Sequence, residues 1–169
     1  MDYEIRPGTP DDEATLLALF DEAVAWMVAR DQPGQWGDRP FSERAETRAR
    51  VHEFATHDGL WMAERDGDPL GALIVGVHPP HVEPIDRSEL YIELLISSRK
   101  HAGNGIGARL VRVADDIAVE RGVEVLRVDC WAGAPTLVGW YEAQGFVRSG
   151  MFDVRGWKGQ VFEKTPGVR

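Results

Sequence analysis

"KHAGNGIGARL", residues Lys100–Leu110, places three glycines and an asparagine between an aliphatic segment and an apolar-faced one. Glycine inside regular structure costs stability, so three at alternate positions mark a backbone that bends sharply or approaches something closely. Upstream, "ELYIELLIS" reads as a strand. Downstream, from Ile106, residues Leu110, Val113, Ala114 and Ile117 line one helical face as far as Arg121-Gly122. "VEVLRVDC" follows as another strand, so the loop sits inside one strand–helix–strand crossover.

Working outward, Tyr3–Arg6 reads as a short strand, and "TPDDEATLLALFDEAVAWMVAR" as a helix. Thr9 suits the cap, Pro10 the first helical position, and acids fill the first turn. Leu16, Phe20, Ala23 and Met27 repeat at helical spacing. "DQPGQWGDRP" interrupts the pattern. A second, weaker helix is expected from Ser42 to His57, with Ala45, Val51 and Phe54 on one side. "LWMAE" and "PLGALIVGV" are strands joined by "RDGD", a hairpin signal. "PTLVGWYEAQ" is a short helix ended by Gly145, and "FVRSGMF" with "GQVFEK" forms a closing hairpin around Gly156. No repeat or linker is evident. The order βααβββαβαββ predicts a single α/β (α+β) domain over 1–169. Its sheet should be mixed, mostly antiparallel and of about seven strands, with helices on both faces.

Composition narrows the function. Of 169 residues, 43% are hydrophobic and 28% charged, as in ordinary globular proteins, and the formal net charge is −9. Nucleic-acid sites need clustered Lys and Arg, so no nucleic-acid partner is expected. Cys130 is the lone cysteine and excludes an internal disulfide; within an apolar run it reads as an inert core thiol. "MDYEIRPG" lacks the apolar core of a signal peptide, and "LGALIVGV" is too short to cross a bilayer. The expectation is a cytoplasmic protein with no membrane partner; a homodimer stays open.

Three readings compete for the glycine loop. A bare strand-to-helix turn rarely needs so many glycines. Gly103, Gly105 and Ala108 satisfy a dinucleotide fingerprint, with Asp129 near the place of a ribose-binding acid. Against it, "SSRKHA" separates strand from glycine, and the short helix and hairpin after Cys130 leave no room for a doubly wound sheet. The third reading is a pyrophosphate cradle in which main-chain amides converge on phosphate oxygens at a helix start. It needs almost no side chains and suits an acidic protein.

With "LYIELLIS", "AGNGIGARL" and the later "WYEAQGF" together, the chain resembles the GNAT superfamily of acyl-CoA-dependent N-acyltransferases over nearly its whole length. The family's loop pattern R/Q-x-x-G-x-G/A falls on Gly105 and Gly107, with Ala102 replacing the Arg or Gln. Ala134 stands where many members carry Asn. Both changes remove side-chain contacts to the cofactor and leave its amides. The resemblance implies acetyl-CoA as cosubstrate, held by Ala102, Gly103, Asn104, Gly105, Ile106, Gly107 and Ala108, with the main chain of Leu95, Ile96 and Ser97 along its pantetheine arm.

By the same resemblance Tyr141 is a general acid near the thioester sulfur; its other reading is a helix tyrosine packed on the sheet. Glu93, a charged residue in an apolar strand, is the general-base candidate or a structural carboxylate, and the two readings stand level. Glu89 is a lesser candidate. Tyr91 on the same face, and Trp36 from the loop between the first two helices, fall on the acceptor side; Trp36 serves equally as packing over prolines. His78-Pro-Pro-His81 has a metal-like spacing without a third ligand, so no metal is expected. His101 faces a phosphate or water. The implied reaction is acetyl transfer to a primary amine of a small molecule or peptide. The other class is a catalytically impaired acyl-CoA-binding protein acting as sensor or assembly subunit. The acceptor amine is not legible, because this fold serves many.

Overall fold

The computed structural model describes residues 2–168. Its elements follow the expected order: β1 (Glu4–Pro7), α1 (Glu13–Val28), α2 (Ala45–Ala55), β2 (Leu60–Arg65), β3 (Asp68–Gly76), β4 (Glu89–Ser97), α3 (Ile106–Arg121), β5 (Val125–Trp131), α4 (Pro135–Ala143), β6 (Val147–Val154) and β7 (Trp157–Lys164). Hydrogen bonding orders the seven strands β1-β2-β3-β4-β5-β7-β6. The β4–β5 pair is parallel, while β1–β2, β2–β3, β5–β7 and β6–β7 are antiparallel.

Both hairpins are closed by two left-handed residues: Asp66 and Gly67 (φ 51° and 79°), and Arg155 and Gly156 (φ 53° and 87°). Positive φ at both central positions gives the turn whose twist matches the strands. In the second, the Asp153 carboxylate also accepts from the Gly156 amide at 2.7 Å.

Two compact units share the chain. One comprises the residues up to Ile74 with Leu94–Leu110; the other comprises Val75–Glu93 with the residues from Val111 on. In the first, Leu16, Phe20 and Ala23 of α1 and Val51 of α2 are buried against Met62, Ala72, Ile74, Leu94 and Ile96, with Met27 at the margin. Because side chains alternate across a strand, Gly71 belongs to the opposite face from Ala72. A Cβ on Gly71 would stand 2.6 Å from the Ile96 carbonyl oxygen and 3.2 Å from both Ile106 and Leu110. The start of α3 therefore lies directly on β3, and helices cover both faces of this unit's sheet.

Two helix starts differ from the sequence reading. Pro10 opens a 3-10 turn, Pro10–Asp12, and α1 begins only at Glu13. Asp12 accepts from the Thr9 amide at 2.8 Å and takes a paired contact from Arg6 at 2.8 and 3.0 Å, which holds the tighter turn. Ser42 and Glu43 likewise form a 3-10 turn ahead of α2. Ala45 is exposed at that helix's first position, and the buried stripe is Thr47, Val51 and Ala55. The reason is register: residues four apart share a face, and this set is anchored by the Thr47 hydroxyl donating to the Phe41 carbonyl at 2.7 Å.

In the second unit, α4 seats Tyr141 among Trp140, Phe146 and Phe162, with ring centroids at 5.0, 5.9 and 5.4 Å. Cys130 is buried beside them on β5 as a free thiol, and burial, then Asp129, pushes its pKa up to about 12. A thiol so protonated is no nucleophile.

Candidate functional site: a glycine loop and an ionisable sheet face

The glycine loop belongs to the first unit. After β4 the chain makes a 3-10 turn, Arg99–His101, and the Ala102 amide is spent on it, 3.4 Å from the Arg99 carbonyl. Gly103 and Gly105 follow at φ 83° and 71°, each with nothing within 4 Å of where a Cβ would stand. Their need for glycine is conformational, since left-handed backbone strains any L side chain while the space is open. Asn104 donates its side-chain amide to the His101 carbonyl at 3.0 Å, which braces the turn from inside.

The first α3 bond outside the loop is Arg109 N–H to the Gly105 carbonyl, at 3.0 Å. The amides of Ile106, Gly107 and Ala108 thus precede the helical ladder, and the positive end of the helix macrodipole adds to them. Such an end can hold an anionic group by main chain alone. Leu95, Ile96 and Ser97 lead into this turn on β4, with Ile96 buried and the other two half-buried. His101 is engaged: its Nε2 lies 2.8 Å from an Asp68 carboxylate oxygen. Trp36 packs edge-on against Phe20, centroids 5.1 Å apart, at the margin of the first unit's core.

In the second unit, one face of β4 and β5 carries a row of ionisable groups. Period-two alternation puts Glu89, Tyr91 and Glu93 together on β4, and the register sets Arg127 opposite Tyr91 on β5. Arg127 is 4% exposed and donates to Glu89 at 2.8 Å and to the Glu83 carbonyl at 3.1 Å. The other Glu89 oxygen meets His78 Nδ1 in a short contact. Burial alone would raise the Glu89 pKa, but these two partners outweigh it and hold the carboxyl below its ordinary value. His78 and His81 go separate ways, since the His81 ring rests on Phe152 at 4.5 Å.

Tyr91 has 0% exposure and donates its hydroxyl to Asp129 at 2.5 Å. As folded it offers no surface to a substrate, in contrast to its expected place on the acceptor side. Glu93 is half-buried and accepts from the Val77 amide at 3.2 Å. Tyr141 is 5% exposed, and burial, with Cys130 and Asp129 nearby, raises its pKa well above that of a free phenol. It holds its proton at any physiological pH.

The parallel ladder itself is short. It couples Glu89–Ile92 to Val125–Val128 and stops, although β4 continues to Ser97 and β5 to Trp131. Beyond Ile92 the β4 main chain therefore takes no part in that ladder.

A family model described as the acetyltransferase (GNAT) family matches residues 21–146. The chain belongs to the GNAT family. Among curated proteins it is 30% identical to the mouse "Probable N-acetyltransferase family 8 member 5" over 57% of this chain and 41% of that one. It is 29% identical to the rat "N-acetyltransferase family 8 member 2" over 58% and 42%. The match thus spans less than half the length of these relatives. Solved structures share the GNAT fold at lower identity. The PaiA N-acetyltransferase from Thermoplasma acidophilum, solved with coenzyme A, superposes at a TM-score of 0.73 with 17% identity, covering 98% of this chain and 99% of that one. YncA of Salmonella typhimurium, solved with acetyl-CoA, gives 0.67 with 17% identity, covering 99% and 95%.

Against this GNAT frame, three residues that matter locally escaped the sequence reading. Gly71, in an aliphatic run, admits the start of α3. Arg127, read only as part of an apolar strand, organises Glu89. Glu22, on a helix read for its apolar stripe, reaches the turn before the glycine loop. The strand alternation of "LRVDCW" held a signal for Arg127, and a lone glycine inside an aliphatic strand held one for Gly71; nothing local marked Glu22.

Proposed function

We propose that the chain is one N-acetyltransferase domain that transfers the acetyl group of acetyl-CoA directly to a primary amine of a small molecule or peptide. The observation that carries this is the pair of left-handed glycines feeding a helix whose first amides lie outside its ladder. That cradle fits a diphosphate: Gly103 and Gly105 leave their surroundings open, and Gly103 to Ala108 supply main-chain donors without any cationic side chain. Ala102 and Ala134 contribute none, which leaves the main chain with the task. Membership of the GNAT family, and the acetyl-CoA and coenzyme A carried by the structural neighbours, support the choice of cosubstrate.

Acetyl-CoA would supply an activated acetyl group as its thioester. The chain's own groups then hold and move protons. Tyr141 keeps a proton on its hydroxyl in a dry aromatic setting, ready for the thiolate that transfer leaves. Glu93, accessible and fixed by Val77, takes the proton of the incoming ammonium, directly or through water. The main chain of Leu95, Ile96 and Ser97 would hold the pantetheine arm. Trp36, on the loop between α1 and α2, is the acceptor-side residue.

The test is release of free CoA thiol from acetyl-CoA with a panel of polyamines, amino acids, aminoglycosides and peptides. Amine-dependent release is expected. Tight CoA binding without release for any amine would overturn the catalytic reading in favour of a binding role.

A further inference from the structure

We infer that Glu22 is a positioning residue for the cofactor loop: it caps, from another helix, the turn that aims the glycine stretch. This rests on the acetyl-CoA reading above and assigns a new residue to it.

The 3-10 turn Arg99–His101 has a capping problem. Its internal bonds run from His101 to the Ser98 carbonyl (3.3 Å) and from Ala102 to the Arg99 carbonyl (3.4 Å). The amides of Arg99 and Lys100 have no partner within the turn, as the first donors of any helical turn have none. Ser98 stands at the cap position, but its side chain does not cap. Its hydroxyl donates instead to Glu22 at 3.0 Å, and it is itself 3% exposed. The same Glu22 oxygen accepts from the Lys100 amide at 3.1 Å and, in a short contact, from the Arg99 amide. One carboxylate oxygen thus serves three donors at the point where strand becomes turn.

One helical turn further along α1, Trp26 holds the same segment. The Arg99 guanidinium lies over its ring, 4.0 Å from the centroid, and Arg30 lies at the same distance. Glu22 and Trp26 lie four residues apart and share one face of α1, while Arg30 stands just beyond the helix end. Glu22 and Trp26 together grip main chain and side chain of the residues just before Ala102. With Ser98 also donating its amide to the Leu70 carbonyl at 2.7 Å, the entry to the loop is fixed on two sides. Only Gly103 to Gly105 remain to turn, so the amides of the α3 start are aimed before any ligand arrives. Preorganisation of this kind appears as affinity, because binding need not order the donors.

The experiment is calorimetric titration of the full chain with CoA, comparing wild type, Glu22→Ala and Glu22→Gln. Hydrogen–deuterium exchange of the unliganded proteins accompanies it. Glu22→Ala should weaken CoA roughly tenfold and speed exchange at Arg99 and Lys100 selectively. Glu22→Gln retains a neutral acceptor and should fall between the two. Turnover at saturating acetyl-CoA should stay within about twofold of wild type, since the chemistry is untouched. A residue of purely structural importance would instead lower melting temperature, turnover and acceptor affinity together. If Glu22→Ala does not fold, Glu22→Gln carries the comparison. Unchanged CoA affinity in a folded variant overturns the inference alone. No CoA binding by the wild type overturns the acetyl-CoA reading, and the inference with it.

Discussion

Tyr91 donates its hydroxyl to Asp129 at 2.5 Å, joining two strands at the point where their ladder is about to end. Glu89 and Arg127 make the neighbouring pair at 2.8 Å on the same face. A fully buried phenol and a buried guanidinium thus tie down one carboxylate at the first ladder pair, Glu89, and one just past the last, Asp129. Tyr91→Phe keeps the ring and removes the donor. Leaving a half-buried carboxylate short of one partner costs about 1–3 kcal/mol, so the variant should melt several degrees lower. Differential scanning calorimetry checks this, and a melting temperature equal to wild type would mean that water replaces the phenol.

Gly105→Val tests the cradle. The residue stands at φ 71° with open space around it, so valine meets backbone strain and no clash. The loop should relax away from its left-handed geometry and lose CoA affinity below detection in calorimetry, while circular dichroism stays that of the wild type. A folded variant with full affinity would remove the main-chain cradle from the mechanism.

Tyr141→Phe separates chemistry from packing, because the aromatic contacts with Phe146 and Phe162 are preserved. The lost proton donor acts only as the C–S bond breaks, so turnover should fall at least roughly tenfold. The acetyl-CoA dissociation constant should barely move. Steady-state kinetics beside calorimetry reads both quantities, and full turnover would reduce Tyr141 to a packing residue.

Trp36→Ala should have two effects. Loss of the edge contact with Phe20 lowers stability, by about 2 kcal/mol for a partly buried aromatic ring. The acceptor Michaelis constant should rise while that for acetyl-CoA holds. If both constants match those of an exposed-site control, the acceptor lies elsewhere.

Acid stability follows from two carboxylates. Hydrogen bonding to Arg6 lowers the Asp12 pKa, and the Arg127 and His78 contacts lower that of Glu89 against the opposing effect of burial. A carboxylate with a depressed folded pKa stabilises fully above its unfolded value, near 4, and loses that contribution as pH falls through the folded value. Asp12→Asn and Glu89→Gln should therefore melt below wild type at pH 7. The gap should close as pH drops below about 4. Melting curves taken across pH decide it; a gap constant in pH would point to packing instead of charge.

The sequence by itself determined the element order, because apolar periodicity, turn residues and glycine punctuation are local properties of the chain. "RDGD", "AGNGIG" and "WYEAQGF" announced a hairpin, a loop and a helix without knowledge of their neighbours. The helix starts slipped by a few residues where a polar contact outside the helical repeat decided them: Arg6 holds the turn at Asp12, and Thr47 seeks the Phe41 carbonyl. Tertiary structure alone decided what each polar group of the candidate site meets. Tyr91 shares the periodicity of Glu93, yet its hydroxyl is spent on a residue 38 positions away. Glu22 lies 76 positions before Ser98 and bears no local mark of its task. Hydrogen-bond partners across such separations are set by how strands and helices stack. That stacking depends on the summed burial of many side chains, which no single stretch of sequence encodes.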